Sequence, residues 1–157
     1  MSKYYLILVW VAVAYFISST VKVQKTEYVC GKRVSRYSYI WAVIIFLPLV
    51  IWCGYRGWVL DTGAYITAYK NMPLVFSEIP EYMKDVTKDE GFYYLSAVLK
   101  TFIGENYHIY FIVIASIQAV CLMSVYRKYS INYIVTFFLF IASTDYMSWA
   151  QNGVRQF

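Results

Sequence analysis

Apolar residues in this chain of 157 residues gather into four long runs, and the polar segments between them carry nearly all of the charge. The runs cover about residues 4–20, 37–55, 107–126 and 131–147. The first three contain no Asp, Glu, Lys or Arg, and the fourth reaches spanning length only if Asp145–Trp149 lies at the interface. A membrane-spanning helix needs about 20 mostly apolar residues. The pattern therefore predicts four transmembrane helices.

The composition places the chain in the same class. Hydrophobic residues make up 61% of the sequence and charged residues 15%. A soluble domain with so few charges would have too little polar surface to cover itself. We therefore predict an all-α, polytopic membrane protein, with residues 1–157 forming a single, incomplete transmembrane domain. A cleaved signal peptide is the minor alternative for the first run, which has no small-residue cleavage site after it.

The charges of the connecting segments predict the orientation, because short positively charged loops stay in the cytoplasm. The loop after the first run carries five basic residues and one acid, and the loop after the third carries Arg127 and Lys128 with no acid. The long segment 56–106 instead has five basic and seven acidic residues. We therefore expect segment 56–106, the amino terminus and the carboxyl-terminal tail to lie outside the cytoplasm. Lys3 argues mildly against this topology.

The charges, the cysteines and the histidine give little support for nucleic-acid binding, a disulfide framework or a metal site. The net charge of +5 comes mainly from the short loops, where topology explains it, so we do not predict nucleic-acid binding. The same loop charges would attract anionic lipid. Neither the three cysteines nor the single histidine, His108, has the spacing of a disulfide framework or a metal site. We therefore expect no metal and no cofactor.

The start of the extracytoplasmic segment holds the first candidate site residues. A short helix is predicted over residues 64–70, with Asp61 as its amino-terminal cap and Asn71-Met72-Pro73 ending it. Tyr65 and Tyr69 follow Asp61 at intervals of four and so lie on one helix face. A purely structural interpretation accounts for all of them, with interfacial tyrosines and Arg56 reaching from the second run towards the membrane surface.

A second short helix is predicted later in the same segment. Asp89 is its expected cap, Glu90 lies in its first turn and Gly104 follows its end. Its apolar face is predicted to contain four residues: Phe92, Leu95, Leu99 and Phe102. Roughly 14 residues extend only some 21 Å, so this helix should not span the bilayer. It should lie in the outer interface or dip partly into the membrane against the other helices. Glu90 is interpreted either as a favourable first-turn charge or as a site acid.

The residues from Ser148 to Phe157 have a pattern typical of the start of another helix. We therefore expect this chain to be the amino-terminal part of a larger helical bundle and to be inactive alone.

The order of these motifs resembles the amino-terminal part of the EpsG family, membrane proteins of exopolysaccharide production similar to Wzy-type polymerases. The resemblance covers nearly all of the chain and is strongest between Tyr55 and Phe157. Its motifs are Tyr55-Arg56, Asp61-Thr62, Tyr65, Tyr69, Glu90-Gly91-Phe92 with Leu95, and Asn152-Gly153-Val154-Arg155-Gln156.

The resemblance implies a multi-pass protein of the bacterial cytoplasmic membrane that polymerises lipid-linked repeat units on its outer face. The implied substrate is an undecaprenyl-diphosphate-linked oligosaccharide, and the implied partners are membrane lipid and other polysaccharide-assembly proteins. Arg56 and Arg155 would bind the diphosphate, because a guanidinium donates two parallel hydrogen bonds to phosphate oxygens.

The resemblance also places the remaining candidate residues. Gln156 would join the substrate-binding residues, and Tyr65 and Tyr69 would stack on sugar rings or pack beside the lipid. Asp61 or Glu90 would act as the base or as an orienting acid.

Two other functions stay open at this point. A flippase or transporter of lipid-linked glycan would also need an arginine-lined cavity, but it should place ionisable groups inside its spans near mid-membrane. No Asp, Glu, Lys, Arg or His lies near the middle of these spans. A non-catalytic scaffold of a polysaccharide-assembly complex would need only the helices and an interaction surface.

Overall fold

The computed structural model describes residues 2–21, 24–29, 31–57 and 61–143. These residues form seven α-helices and one β-hairpin, in agreement with the predicted helical class. The elements are α1 (Ser2–Thr20), β1 (Gln24–Val29), β2 (Lys32–Tyr37), α2 (Tyr39–Gly54), α3 (Thr62–Asn71), α4 (Ile79–Lys84), α5 (Glu90–Ile103), α6 (Tyr107–Tyr129) and α7 (Tyr133–Ala142). A single 3₁₀ turn, Phe76–Glu78, precedes α4.

Helices occupy all four apolar runs, but they differ in length. Among the described residues, α6 is the one helix long and apolar enough to cross a membrane, and the apolar helices Tyr4–Thr20, Tyr39–Gly54 and Tyr133–Ala142 are shorter. The end of the predicted fourth span, residues 144–147, lies outside the described residues. The number of transmembrane helices therefore stays a prediction.

The described residues divide into two compact units, one within Met1–Trp52 and Ser116–Tyr146 and the other within Cys53–Ala115. In the first unit α1 packs on α7. Residues Ile7, Val11 and Ala14 of α1 are buried and recur every three or four positions, as expected for one helix face. The Tyr4 hydroxyl donates to the carbonyl oxygen of Ile141 at 3.1 Å.

The basic loop between the first two apolar runs contains the β-hairpin, which the sequence analysis missed. Strands β1 and β2 pair antiparallel from Gln24 opposite Tyr37 to Val29 opposite Lys32. Gly31 adopts a φ of +76°, which suits a two-residue hairpin turn. The glycine between two six-residue stretches was the available signal, and the dense Lys and Arg obscured it.

The second unit contains α3, α4, α5 and the first part of α6. Both predicted short helices are present: α3 ends at Asn71 as expected, and α5 runs for 14 residues to Gly104 at its carboxyl-terminal cap. Helix α4 was not predicted, although Pro80 in its first turn is a common start signal. The core of this unit is largely aromatic and includes Tyr69 and Phe111.

Candidate functional site

Arg56 follows directly after α2 and is buried, with 7% of its surface exposed. Its guanidinium carbon lies 4.0 Å from the centroid of the Phe111 ring, which α6 contributes. A cation over an aromatic face is stabilised by the negative charge of that face, and more so where water is excluded. Arg56 is therefore a positive charge held in a fixed position at the edge of an aromatic core.

Close packing of the end of α2 against α6 positions Arg56. A Cβ atom built on Gly54 would lie 2.1 Å from Cγ1 of Ile112, so this position requires glycine at the observed spacing. His108 Nδ1 lies 3.0 Å from the Gly54 carbonyl oxygen, and the His108 ring stacks on Tyr55 with centroids 5.3 Å apart. His108, expected at the interface, thus helps to hold the segment that carries Arg56.

Tyr65 and Tyr69 belong to the same aromatic core as Phe111. Tyr69 is fully buried and its ring stacks on Tyr110, with centroids 4.3 Å apart. Tyr65 is also buried, with 8% of its surface exposed. Since one face of the Tyr69 ring is occupied by Tyr110, a sugar could stack on that face only after a local rearrangement.

Helices α3 and α5 close each other's carboxyl-terminal ends. Lys100 Nζ donates to the carbonyl oxygens of Lys70 at 2.7 Å and Met72 at 2.6 Å, where α3 ends. In return the Tyr69 hydroxyl donates to the carbonyl oxygen of Gly104 at 2.8 Å, where α5 ends. These bonds satisfy carbonyl groups that a helix end leaves without partners, and a cation there also interacts favourably with the helix dipole.

We call these bonds of Lys100 and Tyr69 the reciprocal cap of α3 and α5. Burial changes the pKa values of the two side chains in opposite directions. It lowers the pKa of Lys100, because the ammonium ion has lost its water, and the nearby Glu105 carboxylate partly opposes the shift. It raises the pKa of Tyr69 to about 12, with a smaller contribution from Tyr110. Tyr69 therefore stays protonated at neutral pH and keeps its hydrogen to donate.

A further buried hydrogen bond joins α5 to α6. The hydroxyl groups of Ser96 and Tyr110 lie 2.9 Å apart. Buried polar groups need such partners, because an unsatisfied hydroxyl costs free energy. Together with the reciprocal cap, this contact holds α5 against the aromatic core.

Comparison with known families identifies the chain. The family model described as the EpsG family matches residues 39–157. The chain belongs to the EpsG family. It is therefore a membrane protein of polysaccharide biosynthesis, and Arg56, Phe111 and the aromatic core lie within the matched region. No curated protein and no solved structure matches the chain.

Two acids that the EpsG resemblance singled out lie at helix starts. Asp61 and Glu90 are exposed, at the beginnings of α3 and α5. The prediction that the Asp61 and Asp89 side chains cap these helices is wrong, since neither makes a side-chain capping bond. The backbone carbonyl oxygens of these residues accept the first hydrogen bonds of the helices: Asp61 O accepts from Tyr65 N, and Asp89 O accepts from Phe92 N and Tyr93 N.

The structure thus brings together only part of the predicted site. Tyr65 and Tyr69 belong to the aromatic core and Arg56 packs on its Phe111, whereas Asp61 and Glu90 are exposed. Arg155 and Gln156 lie outside the described residues. Within the described ranges, no three His, Cys, Asp or Glu residues are grouped so that they could hold a metal ion.

The sequence analysis missed the burial of Lys100 on α5. Of the predicted apolar face, Phe92 and Leu99 pack against the aromatic core. The buried residues of α5 are Ser96, Ala97 and Lys100, while Phe102 is 82% exposed. Small residues at adjacent positions were the available signal, because they allow helices to approach closely. The exposed apolar side is compatible with the interfacial location expected for this helix.

Proposed function

We propose that this EpsG family member takes part in the polymerisation of lipid-linked oligosaccharide repeat units outside the cytoplasm. The donor is a glycan linked to undecaprenyl diphosphate, and the acceptor is a hydroxyl group of the terminal sugar of another lipid-linked unit. The bond between the anomeric carbon and the phosphate oxygen breaks as the acceptor oxygen bonds to that carbon. The acceptor proton passes to a base, and undecaprenyl diphosphate leaves.

The observation that carries this proposal is that Arg56 is buried and lies over Phe111 of the aromatic core. Negative charge builds on the diphosphate as the anomeric bond breaks, and a preorganised cation in a site of low water content stabilises that charge. A guanidinium stays charged there and can donate two parallel hydrogen bonds. Arg155 and Gln156 are proposed as further diphosphate ligands.

The acids and tyrosines have supporting roles in the proposed reaction. Asp61 and Glu90 are the proposed bases, and the absence of a side-chain cap at Asp61 supports its availability for substrate. Tyr65 is proposed to contact sugar or lipid at the core edge. Tyr69, with its ring and hydroxyl both engaged, supports the segment that carries these groups.

A gene deletion tests the function directly. We expect a strain without this protein to accumulate single lipid-linked repeat units in the outer leaflet and to lack long polymer, because the polymerising step is lost. Mass spectrometry of extracted lipid-linked glycans measures the accumulation, and an impermeant periodate reagent reports their side of the membrane. Repeat units confined to the inner leaflet would indicate that the protein is a flippase. Full extension of the repeat units by the other purified polysaccharide-assembly enzymes, without this protein, would indicate that it is a scaffold.

Asp61→Asn tests the proposed base. Asparagine keeps the size of the side chain and caps helices well, but it cannot accept the proton. We expect polymer yield to fall about 100-fold or more at unchanged protein amount, a loss within the range typical of general-base catalysis. Asp85→Asn, a change of another exposed acid in the same segment, is the matched control and should have no effect. Normal polymer from Asp61→Asn would exclude the base role.

The proposed location of this chemistry depends on topology. In a background without Cys30, Cys53 and Cys121, we expect a thiol introduced at Asp85 to react with an impermeant reagent in intact cells. A thiol at Lys32 should react only after permeabilisation. This expectation follows from the loop charges. The reverse labelling pattern would contradict both the orientation and the extracytoplasmic site.

A further inference from the structure

A basic pocket lies in the first unit, where α6 ends and α7 begins. Its volume is about 380 Å³. Three of its lining residues are basic: Arg36, Arg127 and Lys128. Tyr37 and Tyr133 are also part of the lining, and no acidic side chain is among the described residues around it. The pocket therefore has the charge expected of an anion site.

Arg127 is held in place by contacts within the protein and is not a solvent-exposed surface charge. It is buried, with 7% of its surface exposed, and its Nε donates to the Tyr37 carbonyl oxygen at 2.9 Å. Its guanidinium carbon lies 3.8 Å from the centroid of the Tyr39 ring. These two contacts orient a planar, permanently charged group of the kind that recognises phosphate.

Tyr133 supplies a second feature of a ligand site. Its hydroxyl group is buried and has no hydrogen-bond partner among the described residues. Buried hydroxyl groups are normally hydrogen-bonded, because leaving them unsatisfied costs free energy. A phosphate oxygen in the pocket would be a suitable acceptor for this hydroxyl.

Tyr133 lines the basic pocket, and the following residue of α7, Ile134, lines an apolar groove. It is about 200 Å³ in volume and lies between α1 and α7. Val11, Phe16, Ile134 and Phe138 are among its lining side chains. A free phosphate ion would use only the basic pocket, whereas a molecule with a phosphate and a hydrocarbon chain would use the pocket and the groove.

We propose that the basic pocket binds the phosphate of an anionic phospholipid, with one acyl chain of that lipid in the groove between α1 and α7. Arg127 and Tyr133 bind the phosphate oxygens, while Arg36 and Lys128 add positive charge. The loop charges predict that this pocket faces the cytoplasmic leaflet, whose surface is negative. The site is independent of the proposed polymerisation, which uses Arg56 and the extracytoplasmic segment.

Native mass spectrometry of the purified full chain in detergent tests this site. The probes are phosphatidylglycerol, phosphatidylcholine with matched acyl chains, and inorganic phosphate. We expect phosphatidylglycerol adducts that persist on collisional activation, weaker phosphatidylcholine adducts and no phosphate adduct. Tyr133→Phe should weaken phosphatidylglycerol binding about fivefold, as expected for one lost hydrogen bond. Arg127→Lys should weaken it further, because lysine lacks the planar pair of donors.

Matched variants separate this site from general attraction to anionic lipid. Tyr94→Phe removes a tyrosine hydroxyl and Lys88→Ala removes a positive charge, both at exposed positions outside the pocket, so neither should change binding. Tyr133→Phe should also leave the melting temperature without lipid unchanged or higher, since the hydroxyl has no partner to lose there.

Three results would overturn the proposal. These are equal phosphatidylglycerol binding by Tyr133→Phe and the unchanged protein, equal binding of the two phospholipids, and displacement of the lipid by inorganic phosphate at matched concentration. The last would identify a site for a soluble anion.

Discussion

Arg56→Lys is expected to lower the rate of glycan extension at least about 100-fold, nearly as much as Arg56→Ala. Lysine keeps the charge but loses the planar pair of donors that fits two phosphate oxygens. An arginine that merely reached for the membrane surface would tolerate lysine. The measurement is extension of a purified lipid-linked repeat unit in vitro, normalised to protein amount by immunoblot.

Because Arg56 is buried, its variants need a control for folding. Phe111→Leu removes the aromatic partner but keeps the guanidinium, so we expect a loss of activity several times smaller than that of Arg56→Lys. Lys88→Ala removes an exposed positive charge from the same segment and should leave extension unchanged. Full activity of Arg56→Lys, or an equally large loss in Phe111→Leu, would contradict direct binding of the diphosphate by Arg56.

The same assay addresses Arg155, which is proposed to converge with Arg56 on one diphosphate. If both bind the leaving group, Arg155→Lys should also reduce extension strongly, and the double variant should lose less than the product of the two single losses. Independent, multiplicative effects would indicate that the two guanidinium groups act at different places.

Lys100→Met is expected to cause the largest loss of stability among the substitutions considered in the second unit. Methionine nearly preserves the volume but leaves the carbonyl oxygens of Lys70 and Met72 without their donor. Unsatisfied buried carbonyl groups cost about 1–3 kcal/mol each, so we expect the free energy of unfolding to fall by roughly 2–6 kcal/mol for the two of them. Thermal denaturation followed by near-ultraviolet circular dichroism measures the change.

Lys70→Met is the matched control, because the Lys70 side chain is exposed and only its backbone oxygen takes part in the cap. Tyr69→Phe removes the reciprocal bond to Gly104, and a double-mutant cycle with Lys100→Met should give a coupling energy above about 0.5 kcal/mol. Equal melting temperatures for Lys100→Met and the unchanged protein would show that the cap contributes nothing to stability.

Local sequence signals predicted α3 and α5 of segment 56–106 well, although they did not indicate α4. Asn71-Met72-Pro73 ended α3 and Gly104 ended α5 as expected, because a residue before proline disfavours helix and a glycine readily adopts the conformation that closes one. The side-chain caps were predicted wrongly at Asp61 and Asp89. Cap residue types show where a helix begins, but the orientation of the carboxylate depends on surroundings that short-range sequence does not specify.

The β-hairpin and the buried face of α5 illustrate a different difficulty. The loop between the first two apolar runs has a topogenic charge pattern that says nothing about strand pairing, so the hairpin around Gly31 escaped prediction. On α5 the apolar pattern predicted one face of the helix, and Phe102 of that face is exposed. The buried residues are Ser96, Ala97 and Lys100, which the pattern did not indicate. In a membrane protein an apolar face can turn outward to lipid, which reverses the usual rule for soluble proteins.

Composition and the four apolar runs were sufficient to place this chain among helical membrane proteins, because insertion into a bilayer depends chiefly on the length and apolar composition of each segment. Motif order was sufficient to suggest the EpsG family, which the family match over residues 39–157 establishes. Tertiary packing decided that Arg56 lies on Phe111, that Lys100 closes α3 and that Arg127 lies in a basic pocket. Each of these contacts joins segments distant in sequence, and their geometry arises only when the helices pack.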